Sequence, residues 1–158
     1  MLMAKDNSKG YKVISDNRQA RYRYEILDTY EAGVELKGTE VKSIRQGRIN
    51  LRDGYALIRN NEAWLFNVHI SPYNTASQYF NHDPRRTRKL LLHRDQIRKL
   101  IGKVEEKGLT LVPLKVYLKN GWVKVLIGLG RGKKLHDKRE SLKKKQEKRE
   151  IARALKNY

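Results

Sequence analysis

The chain has 158 residues, with 36 Lys and Arg against 17 Asp and Glu, for a formal net charge of +19. One domain with a true core is the default at this length, and the absence of cysteine excludes a disulfide scaffold, a Cys-ligated zinc or iron–sulfur site and a thiol nucleophile. So large a positive charge points to a polyanionic partner, nucleic acid first and an anionic membrane surface second, while a hydrophobic content of 39% argues for a folded body over a disordered polycation.

Residues 1–17 carry Asn7, Ser8, Gly10 and Asn17 without periodicity and read as a flexible N-terminal arm. Met1-Leu2-Met3-Ala4 passes directly into Lys5-Asp6-Asn7-Ser8, and no later run reaches the roughly 18–20 apolar residues that span a bilayer, so a cytoplasmic protein without a membrane partner is expected. From Tyr22 the chain alternates as a half-buried strand does, and Ala32-Gly33 predicts a bulge or bend within it. Thr39 predicts the N-cap of a short helix through Val41 and Ile44 that Gly47 ends. Leu51–Arg59 and Ala63–Ile70 predict two strands joined at Asn60-Asn61, because Asn tolerates the left-handed conformation of a tight hairpin.

Ser71 to Lys89 is a long polar stretch with Pro72, Asn74, Asn81 and Pro84, read as a loop ending in a basic edge. Alternation in Leu90-Leu91-Leu92 sends Leu91 to the face opposite its neighbours, either under the following helix or into solvent as a contact, and pattern alone favours the first. Ile97, Leu100, Ile101 and Val104 then mark an amphipathic helix closed by Gly108. Two further strands put Val112, Leu114, Val116 and Leu118 on one face and Val123, Val125, Ile127 and Leu129 on another, with Asn120-Gly121 as the strongest hairpin signal in the chain. About six strands with two helices predict a mainly β fold, an antiparallel barrel of the oligonucleotide-binding type with covering helices; a sandwich is the alternative.

Beyond residue 130 the composition changes. Residues 1–130 hold 24 basic and 13 acidic side chains, a net of +11, whereas residues 131–158 hold 12 against 4, a net of +8 in 28 residues. Gly128, Gly130 and Gly132 read as a hinge, and Asp137 with Glu140 reads as a capping-box start for a helix from about Lys138 to Lys156. Its apolar face is confined to Ile151, Ala154, Leu155 and Tyr158, with Leu142 alone further up, so the tail is expected to be disordered when free and helical when an anionic partner neutralises it. The division is thus an arm at 1–17, an RNA-binding barrel at 18–130 and a basic tail at 131–158.

Catalytic readings find little support. His69, His82, His93 and His136 lack metal-pair spacing, His82 and His93 read as surface or capping residues, and Gly128-Leu129-Gly130-Arg131-Gly132 is neither a dinucleotide fingerprint nor a Walker sequence, so no catalytic residue, metal or cofactor is expected. Tyr22, Tyr24, Tyr30, Tyr55, Tyr73 and Tyr79 interleave with Arg and Lys, as a surface needs in order to stack on bases and neutralise phosphates; roughly half of such rings pack as core. An RNA-binding module, a constitutive ribosome-associated or general RNA-binding barrel, and an RNA-processing enzyme using the scattered His and Asp all remain open on these grounds.

The residues Glu31-Ala32-Gly33, Glu40-Val41-Lys42-Ser43-Ile44-Arg45, Asp83-Pro84-Arg85-Arg86-Thr87-Arg88-Lys89-Leu90-Leu91-Leu92 and Gly132-Lys133-Lys134-Leu135-His136-Asp137-Lys138-Arg139, in this order, resemble the SmpB family. These are the SsrA-binding proteins that partner transfer-messenger RNA in bacterial trans-translation. The resemblance implies a monomeric adaptor whose body holds the tRNA-like domain of that RNA in place of an anticodon arm, through Asn17, Arg21, Tyr24, Glu31, Lys89 and Leu91. It makes Leu91 a contact and leaves Glu31 to accept from a base amino group or ribose hydroxyl, or to orient a neighbouring cation. The tail would enter the small-subunit decoding centre and the empty mRNA channel of a stalled ribosome through Lys133, Lys134, His136, Asp137, Lys138, Arg139, Ile151 and Leu155, with His136 stacked on a ribosomal base. Alanyl-tRNA synthetase and elongation factor Tu would be partners through the RNA. One departure stands at the tail end, where Ala154-Leu155 replaces the family's Ile-Met with less bulk.

Overall fold

The computed structural model describes residues 10–74, 80–133 and 135–156. Its elements are β1 (Tyr11–Asp16), α1 (Arg18–Arg23), β2 (Tyr24–Val34), α2 (Gly38–Arg45), β3 (Ile49–Asn50), β4 (Tyr55–Arg59), β5 (Glu62–Phe66), β6 (His69–Ile70), β7 (Arg88–Leu91), α3 (Arg94–Lys107), β8 (Thr110–Lys119), β9 (Trp122–Gly132) and α4 (Leu135–Lys156). Among the described residues no helix is long and apolar enough to cross a membrane.

Six strands close in the order β8-β4-β5-β7-β2-β9, every pair antiparallel, with β9 returning to β8. This is the expected barrel. Both hairpins form where the sequence places them: Asn60 and Asn61 take φ of 53° and 59°, Asn120 and Gly121 take 51° and 82°, the left-handed pair a two-residue I′ turn requires. Leu65, Leu90, Val116, Val125, Ile127 and Leu129 fill the interior, and Leu100 of α3 and Ile44 of α2 plug it. Helix α3 runs as its apolar spacing predicts and ends at Gly108 with φ of 60°. The two strands expected over Leu51–Arg59 and Ala63–Ile70 are shorter, Tyr55–Arg59 and Glu62–Phe66, and the end of the second, His69–Ile70, pairs instead with Ile49–Asn50 as the separate β3–β6 ribbon.

Several expectations are corrected by pairings that local pattern cannot register. Residues 11–16, read as arm, form β1: strand β4 pairs with β8 only at Leu111, and β1 takes the edge of β8 from Lys115 to Lys119 that β4 leaves open. Residues 1–9 lie outside the described residues. Tyr22 belongs to helix α1, and the irregularity of β2 falls between Ile26 and Asp28, away from Ala32-Gly33. Lys37 precedes helix α2, its N–H donating to Glu40 at 2.8 Å, while the Thr39 hydroxyl turns to His82. In β8 a bulge between Pro113 and Lys115 reverses the alternation. Leu111 and Val116 therefore face the interior, and Val112 and Leu114 face outward under Ala20 of α1.

The glycines read as a hinge belong to strand β9. A Cβ on Gly128 would lie 2.8 Å from Leu114 Cδ1, and one on Gly130 would lie 2.9 Å from Tyr24 Cβ, so both let outer side chains settle on the sheet. Tyr24 cannot swing away, because its clashing atom is fixed to the backbone. Gly130→Ala is expected to destabilise the protein by about 1–3 kcal/mol, measured as a lower urea midpoint with an unchanged slope.

Candidate nucleic-acid interface

Directly paired residues share a face of a sheet, so the register alone assembles the outer surface. Leu91 on β7 lies beside Gly33 on β2, Gly33 beside Lys124 on β9, Lys124 beside Tyr117 on β8, and Tyr117 beside Val13 on β1. The adjoining row holds Glu31, Leu126, Lys115 and Asp16. The row on the other side holds Trp122, Lys119 and Tyr11. Helix α1 covers this surface only at its lower end, where Tyr24, Ile26 and Leu126 pack on the Ala20 cluster.

Glu31 is the hub of the uncovered part. Its Oε2 accepts from the Tyr117 hydroxyl and its Oε1 from Lys119 Nζ at 3.4 Å. The Tyr117 bond, with Lys119 in support, outweighs partial burial and holds the carboxyl below its usual range, so it is an anion at neutral pH. Burial, then donation to Glu31, raises Tyr117, which stays a protonated donor. Lys115 reaches the Tyr11 hydroxyl at 2.9 Å and stands 5.6 and 5.5 Å from the Tyr11 and Tyr117 ring centres. Cations, aromatic rings and the Glu31 carboxylate make a surface that can neutralise phosphates and meet bases or ribose hydroxyls.

The expected contact residues divide between this surface and its base. Lys89 stands two residues before Leu91 on β7, paired with Glu62 at 3.1 Å, and Leu91 is 48% exposed rather than covered by the helix. Glu31, Lys89 and Leu91 therefore share one side of the barrel. Arg21 pairs with Asp16 at its margin. Asn17 is buried and fully engaged: it caps α1 by accepting from Ala20 N–H at 3.3 Å and donates to the Pro113 and Leu51 carbonyls at 2.9 and 3.3 Å. Its side chain thus fixes α1 to β8 and leaves no amide hydrogen for RNA. Tyr24 is half-buried against Gly130, lining with Asn17 a cleft of about 400 Å³ between α1, β4 and α3.

Of the tyrosines read as stacking candidates, Tyr30 is buried, Tyr55 stacks on Phe66 and Tyr73 carries Lys42 at 5.4 Å, while Tyr79 lies outside the described residues. Pattern reasoning missed Tyr11, Tyr117 and Trp122. The alternation Lys115, Tyr117, Lys119 in β8 was the available signal.

Not all of the basic edge is surface. Arg88 is 1% exposed, donating through Nε to Glu40 and through Nη1 to the Val68 carbonyl at 2.8 Å, and Arg86 donates to Glu40 at 2.6 Å. His82, read as a surface or capping residue, is buried between Thr39 Oγ1 and the Ile70 carbonyl, each at 2.9 Å, and pins the loop before β7 to α2. His93 does precede helix α3 as a capping residue. Among the described residues no three His, Asp or Glu side chains gather as around a metal ion.

In the tail, the Lys133 N–H donates to the Arg23 carbonyl at 2.9 Å, and α4 starts at Leu135, ahead of the expected Lys138. Lys134 lies outside the described residues. His136, Asp137, Lys138 and Arg139 fall on the first turns of α4. Leu142, Ile151 and Leu155 are 52%, 60% and 71% exposed, so none of the three is buried on the body.

Comparison with known proteins extends the same pattern. The sequence profile of the family described as SmpB protein matches residues 14–157. The SsrA-binding protein of Nostoc punctiforme is 74% identical over 153 residues, covering 97% of this chain and 99% of that protein. The SsrA-binding protein of Gloeothece citriformis is 72% identical over 156 residues, covering 99% and 100%. A chain from a solved structure described as "tmRNA-SmpB: a journey to the center of the bacterial ribosome" superposes with a TM-score of 0.65 at 54% identity, over 81% of this chain and 93% of that one. A match that begins within β1 and runs through barrel, outer face and tail leaves no described element outside it, and the chain belongs to the SmpB family.

Proposed function

We propose that the protein is a non-enzymatic RNA-binding adaptor of trans-translation, holding the tRNA-like domain of transfer-messenger RNA on the outer face of its barrel and delivering that RNA to stalled ribosomes in the cytoplasm. The observation that carries the reading is the convergence of Glu31, Lys89 and Leu91, from two strands, on one side of the barrel among Lys115, Lys119 and Lys124. Family membership supplies the identity of the RNA. Asn17 acts here as a positioning residue, setting α1 and thereby Arg21 at the margin of the face.

The tail is the second RNA surface. With Leu142, Ile151 and Leu155 exposed and a high density of lysine, α4 gains little from the body and repels itself. It is proposed to melt in the free protein and to form in the decoding centre and the empty mRNA channel, where phosphates neutralise Lys133, Lys134, Lys138 and Arg139. Alanyl-tRNA synthetase and elongation factor Tu meet the adaptor through the RNA it carries, and one copy of the chain suffices.

Sequencing the RNA that copurifies with the protein from its own cells tests the reading, and recovery of bulk RNA without enrichment of transfer-messenger RNA would sink it. With about five phosphates contacted, log K for the complex should fall against log salt with a slope of about −4 to −5. Glu31→Ala separates geometry from charge. Removing an anion makes the protein more basic, so a purely electrostatic interface would bind more tightly. The expected result is instead about tenfold weaker binding with the salt slope retained.

A further inference from the structure

The tip of the β8–β9 hairpin holds an aromatic side chain that the fold does not use. Trp122 is 73% exposed. Its cross-strand neighbour on the same face is Lys119, whose neighbour in turn is Tyr11, so two aromatic rings flank a cation along one row. The backbone beneath is firmly set: Asn120 and Gly121 hold the left-handed turn, and Asn120 N–H donates to the Gly10 carbonyl at 2.7 Å. Tyr11 is fixed by Lys115 and lies 5.1 Å from the Tyr117 ring, while Glu31 holds Lys119. Tyr11, Tyr55, Phe66, Tyr73 and Tyr117 each stack on a ring or carry a cation, and among the described residues the Trp122 indole does neither. An exposed indole on a firmly set turn, with a lysine as its neighbour in the row, is the arrangement on which an unpaired base stacks while its phosphate is neutralised.

We propose that Trp122 is a stacking platform for one unpaired nucleobase of the bound tRNA-like domain, with Lys119 taking the adjoining phosphate. The proposal rests on the outer face being the RNA interface, with which this row is continuous. By strand spacing, Trp122 lies two strands and one row from Leu91, about 12 Å away, so one RNA element can touch both. Glu31 then acts on this contact as a positioning residue, because it orders the Lys119 side chain.

The test uses the full-length protein, a transcript of the tRNA-like domain, and a blunt RNA duplex without unpaired bases as probes. Trp122→Ala should weaken binding of the transcript about tenfold, within the range for loss of one base–aromatic stack, and leave the salt slope unchanged since no cation is removed. Trp122→Phe should bind within about threefold of the unaltered protein, because a phenyl ring also stacks. Intrinsic fluorescence should be quenched by the transcript more than by the duplex, and in Trp122→Phe only the part due to Trp64, the cross-strand neighbour of Lys89, should remain. Unchanged affinity of Trp122→Ala, or equal quenching by the duplex, overturns the proposal. If Glu31→Ala and Lys89→Ala lose affinity while Trp122→Ala does not, the interface stands and the platform falls; if the unaltered protein fails to bind the transcript, both fall. Trp122 is too exposed for its truncation to threaten the fold, and circular dichroism of each variant confirms this.

Discussion

Glu40→Ala is expected to destabilise the protein by about 3–5 kcal/mol, the range for removing one partner of a buried ion pair. Glu40 is fully buried and Arg88 is 1% exposed. Without the carboxylate, Arg88 keeps the Val68 and Pro84 carbonyls and Arg86 keeps the Glu35 carbonyl, but both lose their counter-charge. Against a total stability of about 5–15 kcal/mol for a domain of this kind, the variant should unfold at a far lower urea concentration. Replacing both partners, as Glu40→Leu with Arg88→Met, should recover most of the loss, since an apolar pair leaves no charge stranded. A midpoint for Glu40→Ala within about 1 kcal/mol of the unaltered protein would refute this account.

The same pair predicts an acid response. Burial opposes the charge on Glu40, but donation from Arg86, the Lys37 N–H and Arg88 outweighs it and holds the carboxyl below its ordinary value of 4.5. A carboxylate depressed in the folded state contributes stability that is fully present above its unfolded value and lost as pH falls toward the folded one. Glu40→Gln should therefore flatten the decline in stability below about pH 4.5. Arg88 also ties β7 to α2, so the network that acid weakens is the one that seats Lys89 and Leu91.

Removing the residues after Lys133 is expected to abolish rescue of stalled ribosomes while leaving affinity for the tRNA-like domain within about threefold. The cut belongs there rather than at Gly130, because β9 continues to Gly132 and the Lys133 N–H is bonded to Arg23. What remains has 26 basic and 13 acidic residues, a net of +13, and the whole outer face. What is lost is a helix whose Leu142, Ile151 and Leu155 are exposed, and with it ten of the chain's basic residues. Rescue is read as release of nascent peptide from ribosomes on truncated mRNA, and binding as retention of labelled transcript. Loss of binding together with rescue would mean that barrel and tail form one RNA surface rather than two.

The barrel was legible in the sequence because its signals are local. Asn60-Asn61 and Asn120-Gly121 need only their own backbone angles to announce a hairpin, and the spacing of Ile97, Leu100, Ile101 and Val104 belongs to the helix itself. What stayed hidden depends on distant partners. Nothing near Tyr11 reveals that β8 has an open edge more than 100 residues later. The bulge at Leu114 leaves no composition signal, yet it decides that Val112 faces α1 while Val116 faces the core. Arg88 looks in sequence like its exposed neighbour Arg85, and only Glu40, in another element, takes it out of solvent. Glu31, Lys89 and Leu91 were identified by likeness to a family, and the register then explains why residues so far apart in the chain share a face.

The sharing of β8 between β4 and β1 has a consequence for the order in which the molecule is made. Tyr11 is synthesised 108 positions before its partner Lys119. At about 5–20 residues per second, the emerging β1 waits on the order of 5–20 s for the strand it must join. Until then Tyr11 and Val13 have no sheet to rest on, and the rows that carry Glu31 and Trp122 lack their outer border. Residues 1–82 hold 12 basic against 9 acidic side chains, so most of the positive charge is added from Arg85 onward, along with the strands that complete the outer face.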